Sequence, residues 1–154
     1  MALYLQFEIS GHRYLLPAAR VATVLPLPAL KLMPGAADGV AGVANYQGAP
    51  VPVIDLALLA TGRAAADRLS TRLVLVRYPT AQGEKLLGLV AERATSVLRT
   101  DEKHFTPAGV EAAPWLGGVA PAAGSLAQKI EIEGLLPPEL RAGLFRAAEE
   151  EARA

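Results

Sequence analysis

The sequence predicts a mainly β, barrel-like fold with a short internal helix and a C-terminal helix. Short apolar runs follow one another along the chain, separated by turns that contain Gly or Pro, which is typical of small sandwiches and barrels. The first run alternates apolar and polar residues with the period of a strand that buries one face. Apolar residues make up 52% of the 154 residues and charged residues 19%, which is enough to build a core and excludes a disordered chain.

Four strands are predicted in the first third of the chain. A turn at Ser10-Gly11-His12 separates the first two, and residues 17–20 indicate a short helical turn before the third. Gln47-Gly48 supplies the turn after the fourth, because glycine tolerates a positive φ. The predicted strands are residues 3–9, 13–16, 21–27 and 40–46, and the predicted core face of the first carries Leu3, Leu5, Phe7 and Ile9.

Two prolines mark the next strand, residues 49–54. Pro50 and Pro52 lack their N–H groups on the same side of the strand, so that side cannot form a normal ladder. We therefore expect this strand to lie at a sheet edge or beside a bulge. Asp55 then fits the N-cap of a short helix, and Gly62 fits its end.

The second half contains a hairpin, an irregular segment and a helix. Strands at 72–78 and 85–92 flank a turn, and residues 94–98 continue or restart the second strand. Residues 99–124 are rich in proline and glycine and are expected to be irregular. A last strand at 126–132 precedes a helix at about 138–152, which we expect to fray at Glu149, Glu150 and Glu151 because they oppose its dipole.

Charge and composition exclude several classes of function. The 15 basic and 15 acidic residues cancel, which argues against nucleic acid or anionic lipid as the main partner. The absence of cysteine excludes thiol catalysis and Cys-based metal sites, and the two histidines are far apart. No signal peptide or membrane span is evident, so we expect a cytoplasmic protein without a cofactor or metal.

Few residues suggest catalysis. Asp55 follows an apolar strand, where the favoured interpretation is a helix cap. Glu92 is expected to be a solvated edge residue or to pair with Arg93 or Arg63. Residues 101–104 are expected to form a solvated turn. Trp115 is expected to fill a core. The residues thus favour a binding module, and the alternatives are a nucleic-acid-binding small barrel and a hydrolase using Asp55 or Glu92.

One stretch is more specific. The segment GVANYQGAPVPVIDL, residues 42–56, resembles the signature of the CheW family of chemotaxis coupling proteins, and the flanking segments agree in order and spacing. The resemblance implies a single CheW-like domain over residues 1–154. Its expected fold is two five-stranded SH3-like barrels that share an aliphatic core.

The resemblance also implies a function without chemistry. Such adaptors join the cytoplasmic tip of a chemoreceptor to the regulatory domain of a CheA-type histidine kinase, in arrays at the membrane but without membrane insertion. The receptor groove lies between the lobes, and the kinase contact lies on the first lobe. The partner-binding positions carried over are Val21, Thr23 and Val24 on a strand and Gly42, Asn45, Gln47 and Gly48 at the motif turn.

Two departures from the family pattern remove charge. Gln47 stands in place of an arginine and Thr23 in place of a glutamate. A desolvated ion pair with a typical receptor would be lost, which costs about 1–3 kcal/mol. The departures predict a non-standard receptor or kinase, and several phrases resemble adaptors of Wsp-type surface-sensing cascades, which control a cyclic dinucleotide.

Overall fold

The computed structural model describes residues 1–107, 113–122 and 124–153. These residues form nine strands, two α-helices and three short 3-10 helices. The 3-10 helices are Ala18–Arg20, Glu102–His104 and Ile132–Gly134. The other elements are β1 Ala2–Ile9, β2 His12–Pro17, β3 Val21–Pro26, β4 Val40–Tyr46, β5 Ala49–Asp55, α1 Leu56–Thr61, β6 Arg72–Thr80, β7 Gly83–Thr100, β8 Leu116–Ala122, β9 Ser125–Ile130 and α2 Pro138–Arg153.

The strands form two lobes that share β7. Lobe 1 has the order β3-β6-β7-β5-β4, and lobe 2 has the order β7-β1-β2-β9-β8, so each contains five strands. The 18-residue β7 leaves one lobe and enters the other near Arg93, which has a φ of 51°. Its pairing with β1 shifts at the same place, between Glu8 and Gln6. The predicted pair of five-stranded SH3-like barrels is therefore confirmed.

In each lobe, two backbone hydrogen bonds join a segment outside the named strands to a strand of a hairpin, and this bridge closes the barrel. In lobe 1 the chain after β3 bridges β4, where Lys31 N donates to Val43 O at 2.9 Å and Val43 N donates to Lys31 O at 2.7 Å. In lobe 2 the chain after β7 bridges β8, where Thr106 and Val119 exchange two bonds of 2.8 Å. The two lobes therefore have the same topology, although the sequence shows no internal repeat.

The buried apolar side chains of the described residues form three clusters. One fills lobe 1, one fills lobe 2, and the largest lies between the lobes and beneath α2. Successive residues of β6 alternate between the interior of lobe 1 and the interlobe cluster, so this strand is apolar on both faces. The predicted shared core is the interlobe cluster, whose members include Phe7, Leu16, Val74, Leu87, Ile130, Leu136 and Leu144.

The structure corrects two expectations about the strands. The segment 99–124 was expected to be irregular, but it contains β8. Residues 108–112 and 123 of this segment lie outside the described residues. In β1 the predicted core face fails at its start, because Leu3 is 40% exposed and Tyr4 is fully buried. Tyr4 faces the interior of lobe 2, a second apolar environment that the alternation did not indicate.

The local predictions around β5 are confirmed. The half of β5 that contains Pro50 and Pro52 pairs only with β4, and β7 joins it from Val53 onward. Asp55 caps α1, and Gly62 ends it with a φ of 78°.

The C-terminal helix extends to Arg153, through the acidic stretch where fraying was expected. Two ion pairs hold this end, because Lys31 Nζ lies 3.5 Å from Glu151 Oε2 and Lys85 Nζ lies 4.0 Å from Glu149 Oε1. No helix among the described ranges combines the length and the apolar character needed to cross a membrane.

Candidate partner-binding surface

The motif turn is a rigid two-residue hairpin loop. Tyr46 pairs with Ala49, and between them Gln47 and Gly48 have φ values of 51° and 85°. Positive φ at both positions is the requirement of a type I′ turn. Asn45 Oδ1 accepts a hydrogen bond from Gly48 N at 2.8 Å, so part of the asparagine is used inside the turn. Asn45, Gln47 and Gly48 are exposed at the tip.

Gly42, unlike the exposed residues of the turn, has a structural role. It is buried in β4, and its φ is 146°. A Cβ atom there would lie 2.4 Å from the carbonyl oxygen of Lys31, which is the acceptor of the bridge that closes lobe 1. Gly42 therefore shapes the barrel and does not belong to its exposed surface.

The three candidate residues on β3 differ in exposure. Val21 packs against the interlobe cluster, Thr23 is half-buried, and Val24 is 36% exposed. The pairing with β6 shifts between Val21 and Thr23, so simple alternation does not hold along this strand. Of the three, Val24 offers an exposed apolar side chain.

The two groups of candidates lie on the two edge strands of lobe 1. β3 ends one side of the strand order and β4 ends the other, and the Lys31–Val43 bridge joins these edges. The structure thus places all seven residues on one lobe, with β3 at its junction with lobe 2 and the turn at a hairpin tip.

A polar network that the sequence did not indicate fixes the start of β3. Arg20 forms an ion pair with Glu133 of lobe 2 and donates from Nη2 to the carbonyl oxygen of Arg77 at 2.8 Å. The hydrogen bond from Arg20 holds the pKa of Glu133 below its usual value. Tyr78 Oη donates to the carbonyl oxygen of Glu133 at 2.9 Å. These contacts tie the candidate strand to both lobes, and the partners are too far apart in sequence to be paired by inspection.

Two exposed apolar residues of lobe 2 also lie beside the junction. Val97 is 63% exposed and pairs with Leu5 of the interlobe cluster, and Leu3 lies on the same face of β1. The 3-10 helix Ala18–Arg20 contacts β1 and leads into β3. Leu3 and Val97 therefore carry the interlobe apolar face out to solvent near the start of β3.

The two carboxylates considered for catalysis have different surroundings. Asp55 Oδ1 accepts from Ala57 N at 3.0 Å and Leu58 N at 3.2 Å, and Oδ2 accepts from Ala65 N at 2.9 Å. Asp55 is thus a helix cap that also holds the following loop. The expected ion pair of Glu92 with Arg93 or Arg63 is not present among the described residues; Arg93 Nε instead lies 3.6 Å from Glu8 Oε1.

Replacing Asp55 with alanine is expected to lower the free energy of unfolding by about 2–4 kcal/mol, because a buried cap is lost and buried N–H groups lose their acceptor. Asp55→Asn keeps one acceptor oxygen and is expected to cost less. Urea denaturation measures both variants, with the exposed Asp67→Ala as the control. Equal stability of Asp55→Ala and the wild-type protein would contradict the structural role.

The segment expected to be a solvated turn, residues 101–104, is anchored. Glu102 accepts a hydrogen bond from Tyr4 Oη at 2.7 Å, and Lys129 Nζ lies 3.3 Å from its other oxygen. These contacts lower the pKa of Glu102, while burial and Glu102 raise the pKa of Tyr4. Within the described residues no group of three His, Asp or Glu could hold a metal ion, and Trp115 is buried in the interlobe cluster as expected.

Comparison with known proteins agrees with this architecture. Residues 3–139 match the CheW-like domain family. The fold is similar to the crystal structure of the scaffolding protein TtCheW from Thermoanaerobacter tengcongensis, with a TM-score of 0.74, 19% sequence identity and coverage of 85% of this chain and 84% of that one. A comparison with curated proteins gives no significant match. Because the family match covers most of the chain, the protein belongs to the CheW-like domain family.

Proposed function

We propose that this protein is a non-catalytic scaffold that couples a chemoreceptor to a CheA-type histidine kinase. The observation that carries the proposal is the CheW-like domain match over residues 3–139. The two lobes would act as one domain over residues 1–154, since they share β7 and the interlobe cluster. The protein would work in the cytoplasm at the membrane receptor array.

The receptor would bind at the junction of the lobes. Leu3, Val24 and Val97 expose apolar side chains, and the partly buried Val21 packs on the interlobe cluster beneath them. A receptor tip is helical, and a helix binds such a surface by burying its apolar face there. Thr23 provides a hydroxyl where the family pattern has a carboxylate, so a receptor matched to this surface would not need a facing cation.

The kinase regulatory domain would bind lobe 1 through the motif turn. The type I′ geometry presents Asn45, Gln47 and Gly48 in one conformation, which lowers the entropy cost of binding. Gln47 presents an amide where the family pattern has arginine, and its amide has no hydrogen-bond partner among the described residues. We infer from the two uncharged positions, Thr23 and Gln47, that the receptor or the kinase is non-standard, as in a Wsp-type pathway that controls a cyclic dinucleotide.

The proposal is tested by binding. The purified protein is mixed with a receptor cytoplasmic fragment and with a kinase regulatory domain encoded beside it, each alone and then together. Binding of both at micromolar concentration, with a ternary complex, is the expected result. Failure to bind either one would refute the proposal, and competition between the two would refute separate contact surfaces.

Placing a charge on β3 should weaken the receptor contact selectively. Val24→Arg is expected to reduce affinity for the receptor fragment by at least about tenfold, because the guanidinium would have to be desolvated. Affinity for the kinase domain should not change. Leu126→Arg is the matched control, since Leu126 is also exposed but lies on β9. Isothermal calorimetry measures both, and an equal effect of the two variants would place the receptor elsewhere.

A further inference from the structure

A groove at the first turn of α2 lies apart from every residue proposed above to bind receptor or kinase. We propose that it binds a basic amphipathic segment of a further protein partner. The groove has a volume of about 540 Å³ and is lined by both lobes and both α-helices. This inference goes beyond the scaffold function and does not depend on it.

The floor of the groove is apolar. Trp115, Leu136 and Ile54 form its base as members of the interlobe cluster. Leu59 of α1 and Leu140 of α2 are partly exposed along its sides. A groove of this size accommodates several apolar side chains, so its occupant must be a segment that presents more than one of them.

The walls are held in place by two close glycine contacts. Gly39 has a φ of 86° and lies against Leu59, and its carbonyl oxygen accepts a hydrogen bond from Asp55 N at 2.9 Å. Gly134 lies so close to Pro114 that a Cβ atom would be 2.1 Å from the proline carbonyl oxygen. The groove is therefore formed before a partner arrives, which reduces the cost of binding.

The charge at the rim indicates a basic occupant. Asp38 and Glu139 line the groove and are exposed, and neither has an ion pair or side-chain hydrogen bond among the described residues. Arg141 also lines the groove, but its guanidinium donates to the carbonyl oxygens of Glu133 and Leu136, each at 3.2 Å. Two free carboxylates beside an apolar floor are complementary to a segment with Leu-type side chains and nearby Lys or Arg.

The groove is distant from the motif turn. Ile54 lines it at one end of β5, and Gly48 precedes the other end of that strand. Six residues of extended chain separate the two sites by roughly 20 Å. A partner in the groove can therefore bind together with a kinase domain on the turn.

Trp115 is the single tryptophan of the chain and lies in the groove, so its fluorescence reports occupancy directly. The probes are a short amphipathic Leu/Lys peptide and its Leu/Glu counterpart. We expect a saturable change in Trp115 fluorescence with the Leu/Lys peptide, weakened by salt, and none with the Leu/Glu peptide. Equal binding of both peptides would overturn the proposal.

Variants locate the site. Asp38→Asn/Glu139→Gln is expected to weaken binding of the Leu/Lys peptide about tenfold. The control Asp67→Asn/Glu150→Gln removes the same charge from other exposed positions and should retain most of the affinity. Ala37→Phe, which places a ring at the groove, should also weaken binding. Unchanged affinity in the first or third variant, or an equal loss in the control, would overturn the assignment. None of these variants should change the binding of receptor or kinase. A failure of the groove proposal can therefore be distinguished from a failure of the scaffold proposal.

Discussion

Replacing Gly42 with alanine is expected to lower the free energy of unfolding by about 3–5 kcal/mol. The new Cβ atom would lie 2.4 Å from the carbonyl oxygen of Lys31, and backbone cannot yield as a flexible side chain can. The φ of 146° adds strain for any residue with a Cβ. Overpacking and backbone strain each cost about 1–3 kcal/mol, and here they add at a bridge that closes the barrel.

Urea denaturation of Gly42→Ala and Gly48→Ala separates the cost of the close contact with Lys31 from the cost of the positive φ. Gly48 also has a positive φ, but apart from its chain neighbours no atom of the described residues lies within 4 Å of its would-be Cβ, so its replacement should cost only about 1–2 kcal/mol. If Gly42→Ala cost no more than Gly48→Ala, the contact with Lys31 would not limit the stability of lobe 1.

This result would also change how binding data are interpreted. The family resemblance implies that Gly42 is a partner-binding position, yet this residue is buried and shapes the closure of lobe 1. Loss of partner binding in Gly42→Ala would follow from a damaged barrel. Val24→Arg, at an exposed side chain, tests contact with the receptor without that ambiguity.

Much of the fold could be predicted because the local signals are physical. The pair Gln47-Gly48 predicts its turn since glycine accepts positive φ, and Asp55 predicts a cap since its oxygens reach the first N–H groups of α1. Tyr4 shows the limit of alternation. A period of two indicates one buried face, but β1 lies between the interior of lobe 2 and the interlobe cluster, so each of its faces carries buried side chains.

β8 was missed for a related reason. Gly117, Gly118 and Pro121 weaken its strand propensity, yet its pairing with β9 and the bridge from Thr106 hold it in place. These contacts are non-local. The same glycine-rich character allows close approach, because a Cβ atom at Gly118 would lie 2.9 Å from the carbonyl oxygen of Thr106.

The surface was predictable only in part. The motif at residues 42–56 located the turn, and a separate apolar run located β3. The exposure of each residue depends on what the lobes cover, and this distinguishes Val24 from Val21 and Gly42. The groove at α2 is assembled from segments around residues 38, 59, 115 and 139, and none of them has a pattern that distinguishes a groove wall from a core. Tertiary contact between distant segments is the missing information.

Gly134→Ala is expected to have the second large effect, a loss of about 3–5 kcal/mol. Its would-be Cβ atom lies 2.1 Å from the carbonyl oxygen of Pro114, 2.4 Å from the carbonyl carbon and 2.8 Å from Trp115 N. All three are backbone atoms, so the 3-10 helix Ile132–Gly134 must move away from Trp115. Such a shift opens the interlobe cluster, where Ile132 and Trp115 are both buried.

Gly143→Ala is the control for this variant. Gly143 lies in α2, and outside its own helix no atom in the described part of the chain lies within 4 Å of its would-be Cβ, so alanine should stabilise the helix by about 0.5–1 kcal/mol. Denaturation followed by Trp115 fluorescence measures the loss in Gly134→Ala, together with a red shift in the folded state as water reaches the indole. Gly134 has no positive φ, so its effect arises from contact alone, whereas that of Gly48 arises from φ alone. If Gly134→Ala were as stable as Gly143→Ala, the close packing of Pro114 on the 3-10 helix would contribute nothing to holding the lobes together.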